Sequence, residues 1–415
     1  MPTGYRAHAA VARGLTLPKA ITGPLEPWTK TGRIDEVVPV FAKALRKISP
    51  PVGRAAAAAT AFTDSVREAE NEDLRGINLL RLSESADVAE LAKSLAKTPG
   101  VDYVHRVPAR WLVGKRLKTQ GADPMQNRQW GLRAIQWFEA QPISDARSVK
   151  LAILDTGVDT NHPDLRGGVA SYIHDGVSAE DIIGHGTHVA GIIAAQAHNK
   201  IGITGICACD LHVWKIFSDQ PAADGEYYVD ELLYQRALNS ARNAGMHVVN
   251  LSIGGTIRSR TEEDLFRRLT EAGAVVVAAM GNEYNQGNPT EYPANYPNVV
   301  AVGAVDESNR RAQFSNTGKH ISISALGTNI LSTLPMRPSI ARPIETQYAA
   351  WNGTSMATPH VSAVAALVMA QFPKMVNSQV VEKLKRSASK LQSMGKKAWT
   401  KEHGVGLLNL KRALE

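Results

Sequence analysis

The sequence predicts an α/β protein, a mostly parallel sheet flanked by helices, with a smaller α+β unit ahead of it. Three observations point there. The apolar runs 149–155 and 275–282 each end in a polar residue, as strands buried on both faces of a parallel sheet do. The runs 189–195 and 361–369 are rich in small apolar residues and read as buried helices behind polar clusters. Upstream, 77–82 reads as a strand, 85–97 as an amphipathic helix stopped by Pro99 and Gly100, and 101–107 as a second strand. An earlier helix is expected over 54–70, where five alanines run together.

Each main element delivers a reactive side chain. Run 149–155 puts Asp155 at a strand's C-terminal end, where open α/β sheets hold ligands. Taken alone, it also reads as a strand followed by an Asx turn. His185 stands between Gly184 and Gly186 at the entry to 189–195. An imidazole is what a general base requires, and flanking glycines let a substrate backbone come close. Ser355 follows Gly353 and Thr354 at the start of 361–369. N–H groups at a helix start have no intrahelical partner and can hold a developing oxyanion, although such a serine is also an ordinary N-cap. Asn282, behind Gly281, reads on its own as a turn residue. A zinc cluster of His162, His174, His185 and His188 is disfavoured, because the spacing is not H-E-x-x-H and no cysteine supports it.

Together, D-T-G at 155–157, G-H-G-T-H-V-A-G at 184–191 and N-G-T-S-M-A-T-P-H-V at 352–361 resemble the signatures of the subtilisin-like serine proteases, the subtilases. The similarity runs from about Gln129 to Asn409. It implies a serine endopeptidase with Ser355 as nucleophile, His185 as base, Asp155 as its partner and Asn282 as an oxyanion donor. It implies that Ser252, Ile253 and Gly254 pair with an extended peptide, and that Gly225 and Tyr227 lie on the peptide's other side. Tyr227 is then either a subsite wall or a core aromatic. Glu291 matches the base of the pocket for the residue before the cut. There it would favour Lys or Arg; the alternative is that it faces solvent. No cofactor is required for the chemistry. A structural calcium is implied at Asp164 and Asn199 with the carbonyls of Ala197, Ile201 and Ile203, and Gln126 or Gln129 would complete the shell.

The domain division follows. Residues 1–50 form an N-terminal extension, and 51–113 resemble an inhibitory propeptide. Residues 114–123 are a linker and candidate processing site, and 124–415 a subtilisin-like peptidase domain. The expected partners are protein or peptide substrates and the chain's own N-terminal domain as an intramolecular inhibitor. A catalytically quiet scaffold, an esterase and a dedicated intracellular processing protease are the rivals. The chain carries a net charge of +8, densest at 115–118 and 383–386, but no nucleic-acid-binding motif accompanies it and it reads as solvated surface. No apolar stretch approaches the ~20 residues that span a membrane. The first residues lack a secretory h-region, so a cytoplasmic location is expected, with unconventional secretion as the alternative. Cys207 and Cys209, the only cysteines, are too closely spaced to pair without strain and suit a reduced compartment.

Overall fold

The computed structural model describes residues 126–140, 145–339 and 344–415, three strands upstream of them, and the single residues Lys93 and Lys97. The upstream strands are β1 (Ile34–Pro39), β2 (Asn78–Leu82) and β3 (Trp111–Leu112). β1 pairs antiparallel with β2, so the extension supplies a strand that sequence reasoning did not anticipate. The helix expected over 54–70 and the strand over 101–107 lie outside the described residues. So do the linker 114–123 and all of 85–97 apart from Lys93, which is helical, and Lys97, which lies in a turn.

Seven strands form the main sheet: β4 (Asp145–Asp155), β5 (Val169–Ile173), β6 (Ala208–Lys215), β7 (Val248–Leu251), β9 (Val275–Ala279), β10 (Val299–Val305) and β11 (Ile321–Leu326). Their order is β11-β10-β9-β7-β4-β6-β5, and every neighbouring pair is parallel. The short β8 (Ile253–Gly254) follows β7, and β12 (Ile330–Thr333) pairs antiparallel with β13 (Tyr348–Trp351).

The helices are α1 (Trp130–Ala134), α2 (His185–Ala194), α3 (Glu231–Asn243), α4 (Arg260–Glu271), α5 (Thr354–Gln371), α6 (Asn377–Ser387) and α7 (Leu410–Leu414). Alternation along β4 shows the layering. Leu151 and Ile153 pack into one core with Val189 of α2 and Val361 of α5. Ala152 and Leu154 pack into a second core with Leu238 of α3 and Phe266 of α4. The sheet is therefore covered on both faces, and its strands read as unbroken apolar runs.

Chain direction fixes where a site forms. From β4 the chain builds β5 and β6 on one side, then crosses over to build β7, β9, β10 and β11 on the other. That reversal opens a crevice at the C-terminal ends of the central strands. Asp155 ends β4, Ser252 follows β7, and Asn282 lies just past β9.

Candidate active site

Asp155 and His185 meet directly. His185 Nδ1–H donates to Asp155 Oδ1 at 2.7 Å, and both side chains are buried. Asp155 Oδ1 also accepts from the Thr156 backbone N–H at 2.7 Å. Because Nδ1 faces the carboxylate, it carries the proton, and Nε2 is left with its lone pair. Among the described residues Nε2 has no hydrogen-bond partner. The Trp351 ring stacks near the imidazole, with centroids 6.2 Å apart.

A second carboxylate, Asp181, braces this pair, and sequence reasoning missed it. Asp181 Oδ1 accepts from Thr156 Oγ1 at 2.8 Å and from Gly184 N at 2.8 Å. Its Oδ2 accepts from Thr187 N at 2.9 Å and Thr187 Oγ1 at 2.6 Å. Thr156 Oγ1 in turn accepts from Gly186 N at 2.8 Å. One buried side chain thus ties the turn after Asp155 to the helix start that carries His185. A signal was available. α2 is capped by Gly184, which has no side chain to hold the first N–H groups. An outside acceptor was needed, and Asp181 lies three residues upstream.

The glycines around His185 also answer a packing need that the sequence reading did not consider. A Cβ on Gly186 would lie 2.1 Å from the Gly157 carbonyl oxygen, so α2 can touch the turn after Asp155 only through a glycine. Gly184 has φ +88 and lies against Pro335.

Ser355 is the second residue of α5 and is wholly buried. Pro359 stands four residues later and has no N–H, so the Ser355 carbonyl lacks its intrahelical donor. Ser252 Oγ supplies one at 2.9 Å. Ser355 Oγ donates to the Ser252 carbonyl at 3.0 Å. The nucleophile candidate is thus held beside Ser252, and Asn250 links the same strand to Ser362 of α5.

Asn282 has a fixed orientation. Its Oδ1 accepts from Thr354 N at 2.9 Å and Thr354 Oγ1 at 3.1 Å. Its Nδ2 is buried and has no partner among the described residues. A buried donor left open, on the residue bonded to the neighbour of Ser355, is the arrangement an oxyanion requires.

The remaining residues fall around this centre. Ile253 and Gly254 form β8, and β8 is paired antiparallel with the chain's own β3: Trp111 opposite Gly254 and Leu112 opposite Ile253. Gly255 exchanges backbone hydrogen bonds with Tyr292 at 2.8 and 2.9 Å. Glu291, next in chain, is fully buried and does not face solvent. Its Oε1 accepts from Asn316 Nδ2 at 2.9 Å and lies against Gly281. Gly225 is exposed in a turn, and Tyr227 is half-buried against the α3–α4 core. Among the described residues no cluster of three or more His, Cys, Asp or Glu side chains could hold a metal. His162 is committed to the Gln347 carbonyl and the Asp164 N–H.

Asp181→Asn would set an amide N–H against groups that are themselves donors. The expected outcome is a folded protein whose turnover number falls roughly 10–100-fold with KM little changed, the signature of a displaced reacting pair. Steady-state kinetics on a peptide substrate check it, and an unchanged turnover number refutes the bracing role.

Comparison with known proteins agrees with the geometry. The model of the subtilase family matches residues 146–406. Subtilisin BL of Lederbergia lenta is 41% identical over 292 residues, which is 69% of this chain and 99% of that protein. The alkaline protease of Shouchella clausii is 41% identical over 292 residues, 69% of this chain and 70% of its own. Alkaline elastase YaB of a Bacillus species is 39% identical over 296 residues, 70% of this chain and 71% of its own. The chain belongs to the subtilase family and is a subtilisin-like serine protease.

Proposed function

We propose that this protease cuts peptide bonds through Asp155, His185 and Ser355, with an acyl-enzyme intermediate. One observation carries the reading: two buried side-chain nitrogens, His185 Nε2 beside Asp155 and Asn282 Nδ2 on the residue bonded to Thr354, have no partner among the described residues. The first is an acceptor and the second a donor. Ser355 Oγ turns from the Ser252 carbonyl to His185 Nε2 and gives up its proton as it attacks the peptide carbonyl. Asp155 holds the imidazole in this tautomer and steadies its cation. The oxyanion is held by Asn282 Nδ2 and the Ser355 N–H, then collapses as His185 protonates the leaving amine. Water repeats the sequence on the ester. Side chains and water supply every proton and electron pair, so no cofactor takes part. Ser355→Ala is expected to lose about 10⁶ of the turnover number and Asn282→Ala roughly 10²–10³. Assays of the two variants side by side check this, and equal losses refute the division of roles.

Two finer features belong to the same reading. Glu291 is a wholly buried carboxylate that accepts from the Asn316 amide and packs behind Gly281, the residue before Asn282. A cationic side chain would compensate such a charge, and an apolar one would not. Cleavage after Lys or Arg is the result. Glu291→Gln is expected to lower kcat/KM for Lys and Arg substrates at least 10-fold relative to Leu or Phe ones; a peptide library reads the ratio. A wild-type preference for Phe or Leu excludes the idea.

Calcium is the second. Asp164 is buried, and its Oδ1 accepts from Asn199 Nδ2 at 2.8 Å, while Oδ2 accepts from Ile203 N at 2.8 Å and Tyr348 OH at 2.9 Å. Asn199 Oδ1 takes the Ile201 N–H at 2.7 Å. Gln129 is spent on Thr204, and Gln126 also bonds to Thr204. Carboxylate, amide and carbonyl oxygens are the donors calcium takes. The Asn199 amide meets the carboxylate through nitrogen, and a cation between them requires it to turn over. Asp164, Asn199 and the carbonyls of Ala197, Ile201 and Ile203 would hold the ion and pin the loop. A melting temperature that falls on chelation and returns with calcium is expected. One that ignores both means that hydrogen bonds alone close the loop.

The N-terminal domain is an inhibitor in this reading, because β3 occupies the β8 edge that an extended peptide would use. The protein is then a zymogen that its own site matures.

A further inference from the structure

Strand β6 ends in a buried lysine. Leu211 and Val213 of β6 pack into the same core as Leu151 and Ile153 of β4. Side chains alternate along a strand, so Lys215 and Asp155, each two positions further on, face that side as well. The two stand opposite one another in the register. Only 1% of the Lys215 side chain is exposed. A buried ammonium has three donors, and each needs an acceptor. Lys215 Nζ donates to the Ser178 carbonyl at 3.1 Å, to the Glu180 carbonyl at 2.6 Å and to Asp219 Oδ1. All three donors are therefore met.

The acceptors identify what the lysine does. Glu180 directly precedes Asp181, the carboxylate that joins the turn after Asp155 to the helix start at His185. Among the described residues, no backbone group from 178 to 183 bonds to another backbone group. The segment relies on side chains instead. Ser178 N donates to Asp219 Oδ2 at 2.6 Å and Glu180 N to Ser178 Oγ at 3.0 Å, while both carbonyls accept from Lys215. Ile183 anchors the far end in the α3–α4 core. Asp181 hangs between that anchor and the Lys215–Asp219 pair. Burying an ammonium costs free energy that an ion pair recovers only in part. A methionine would fill the same space without that cost. It could not hold two carbonyls in place.

We infer that Lys215, with Asp219, is a positioning residue for catalysis. It sets the place of Asp181, and through Asp181 the alignment of His185 with Asp155. Its own bonds go to none of the three triad residues. The inference rests on the roles proposed above for Asp155, His185 and Ser355, and extends them to a residue on another strand.

The test is a double-mutant cycle between Lys215 and Asp181, with the turnover number counted per site titrated by a fluorophosphonate. Unfolded or unprocessed chains then drop out of the rate. Lys215→Met is expected to lower the turnover number about 10-fold, with KM changed less than about twofold. Because the lysine acts through Asp181, adding Lys215→Met to Asp181→Asn is expected to cost less than about twofold more. A residue that only stabilises the fold would leave turnover per titrated site unchanged. One that acts by a separate route would multiply its loss with that of Asp181→Asn. Either result overturns the inference, as does a loss confined to KM. Asp219→Asn, at a side chain 20% exposed, breaks the ion pair with less risk to folding. It is expected to lower turnover at least about 3-fold, and it decides the matter if Lys215→Met does not fold. Unchanged turnover in that case overturns the inference too. If Ser355→Ala still hydrolyses peptides, the triad reading falls and this inference falls with it. If that variant is dead and Lys215→Met is as fast as wild type, this inference falls alone.

Discussion

The hydrogen bond from His185 Nδ1 to Asp155 Oδ1, 2.7 Å long and closed off from water, is the contact on which the rest of the site depends. It fixes the tautomer, and the tautomer fixes which nitrogen can take a proton. Distance alone would not secure it, because the two residues come from different elements thirty positions apart. Asp181 removes that freedom. It accepts from both sides of the junction, Thr156 after the strand and Gly184 and Thr187 at the helix start. A buried carboxylate with four donors is well satisfied, where one without them would be costly.

The residues proposed for recognition and those proposed for chemistry are bonded to one another in this fold. Pro359 deprives the Ser355 carbonyl of its helical donor, and Ser252 replaces it. In the proposed reading, the strand that offers its edge to a peptide is thereby bonded to the nucleophile's own residue. Asn282 reaches the same helix start through Thr354, one residue earlier. Strands β4, β7 and β9 thus each lead to one component at the same edge of the sheet. The parallel arrangement makes this possible, since all their C-terminal ends face one way.

Much of this was legible in the sequence, for physical reasons. Strands covered on both faces must be apolar throughout, so the first polar residue after each run, Asp155 or Asn282, marks the edge of the core. The helix starts at His185 and Ser355 were legible because small apolar residues follow them. What stayed hidden depends on contacts between segments far apart. Asp181 looks like any surface aspartate until Gly184 is seen to lack a capping side chain. The packing need at Gly186 appears only once Gly157 lies against it. The pairing of β3 with β8 joins residues more than a hundred positions apart, and two residues are too short a run to show a strand pattern. β1 was likewise invisible, because its partner, not its composition, makes it a strand.

The central claim is that Ser355 is the nucleophile, activated by a base that Asp155 orients. Labelling with a fluorophosphonate, followed by peptide mapping of the modified residue, tests it most directly. The account requires one phosphonylated position, Ser355, and sharply slower labelling when His185 is replaced by alanine. A label on another residue, or a rate indifferent to His185, would contradict it.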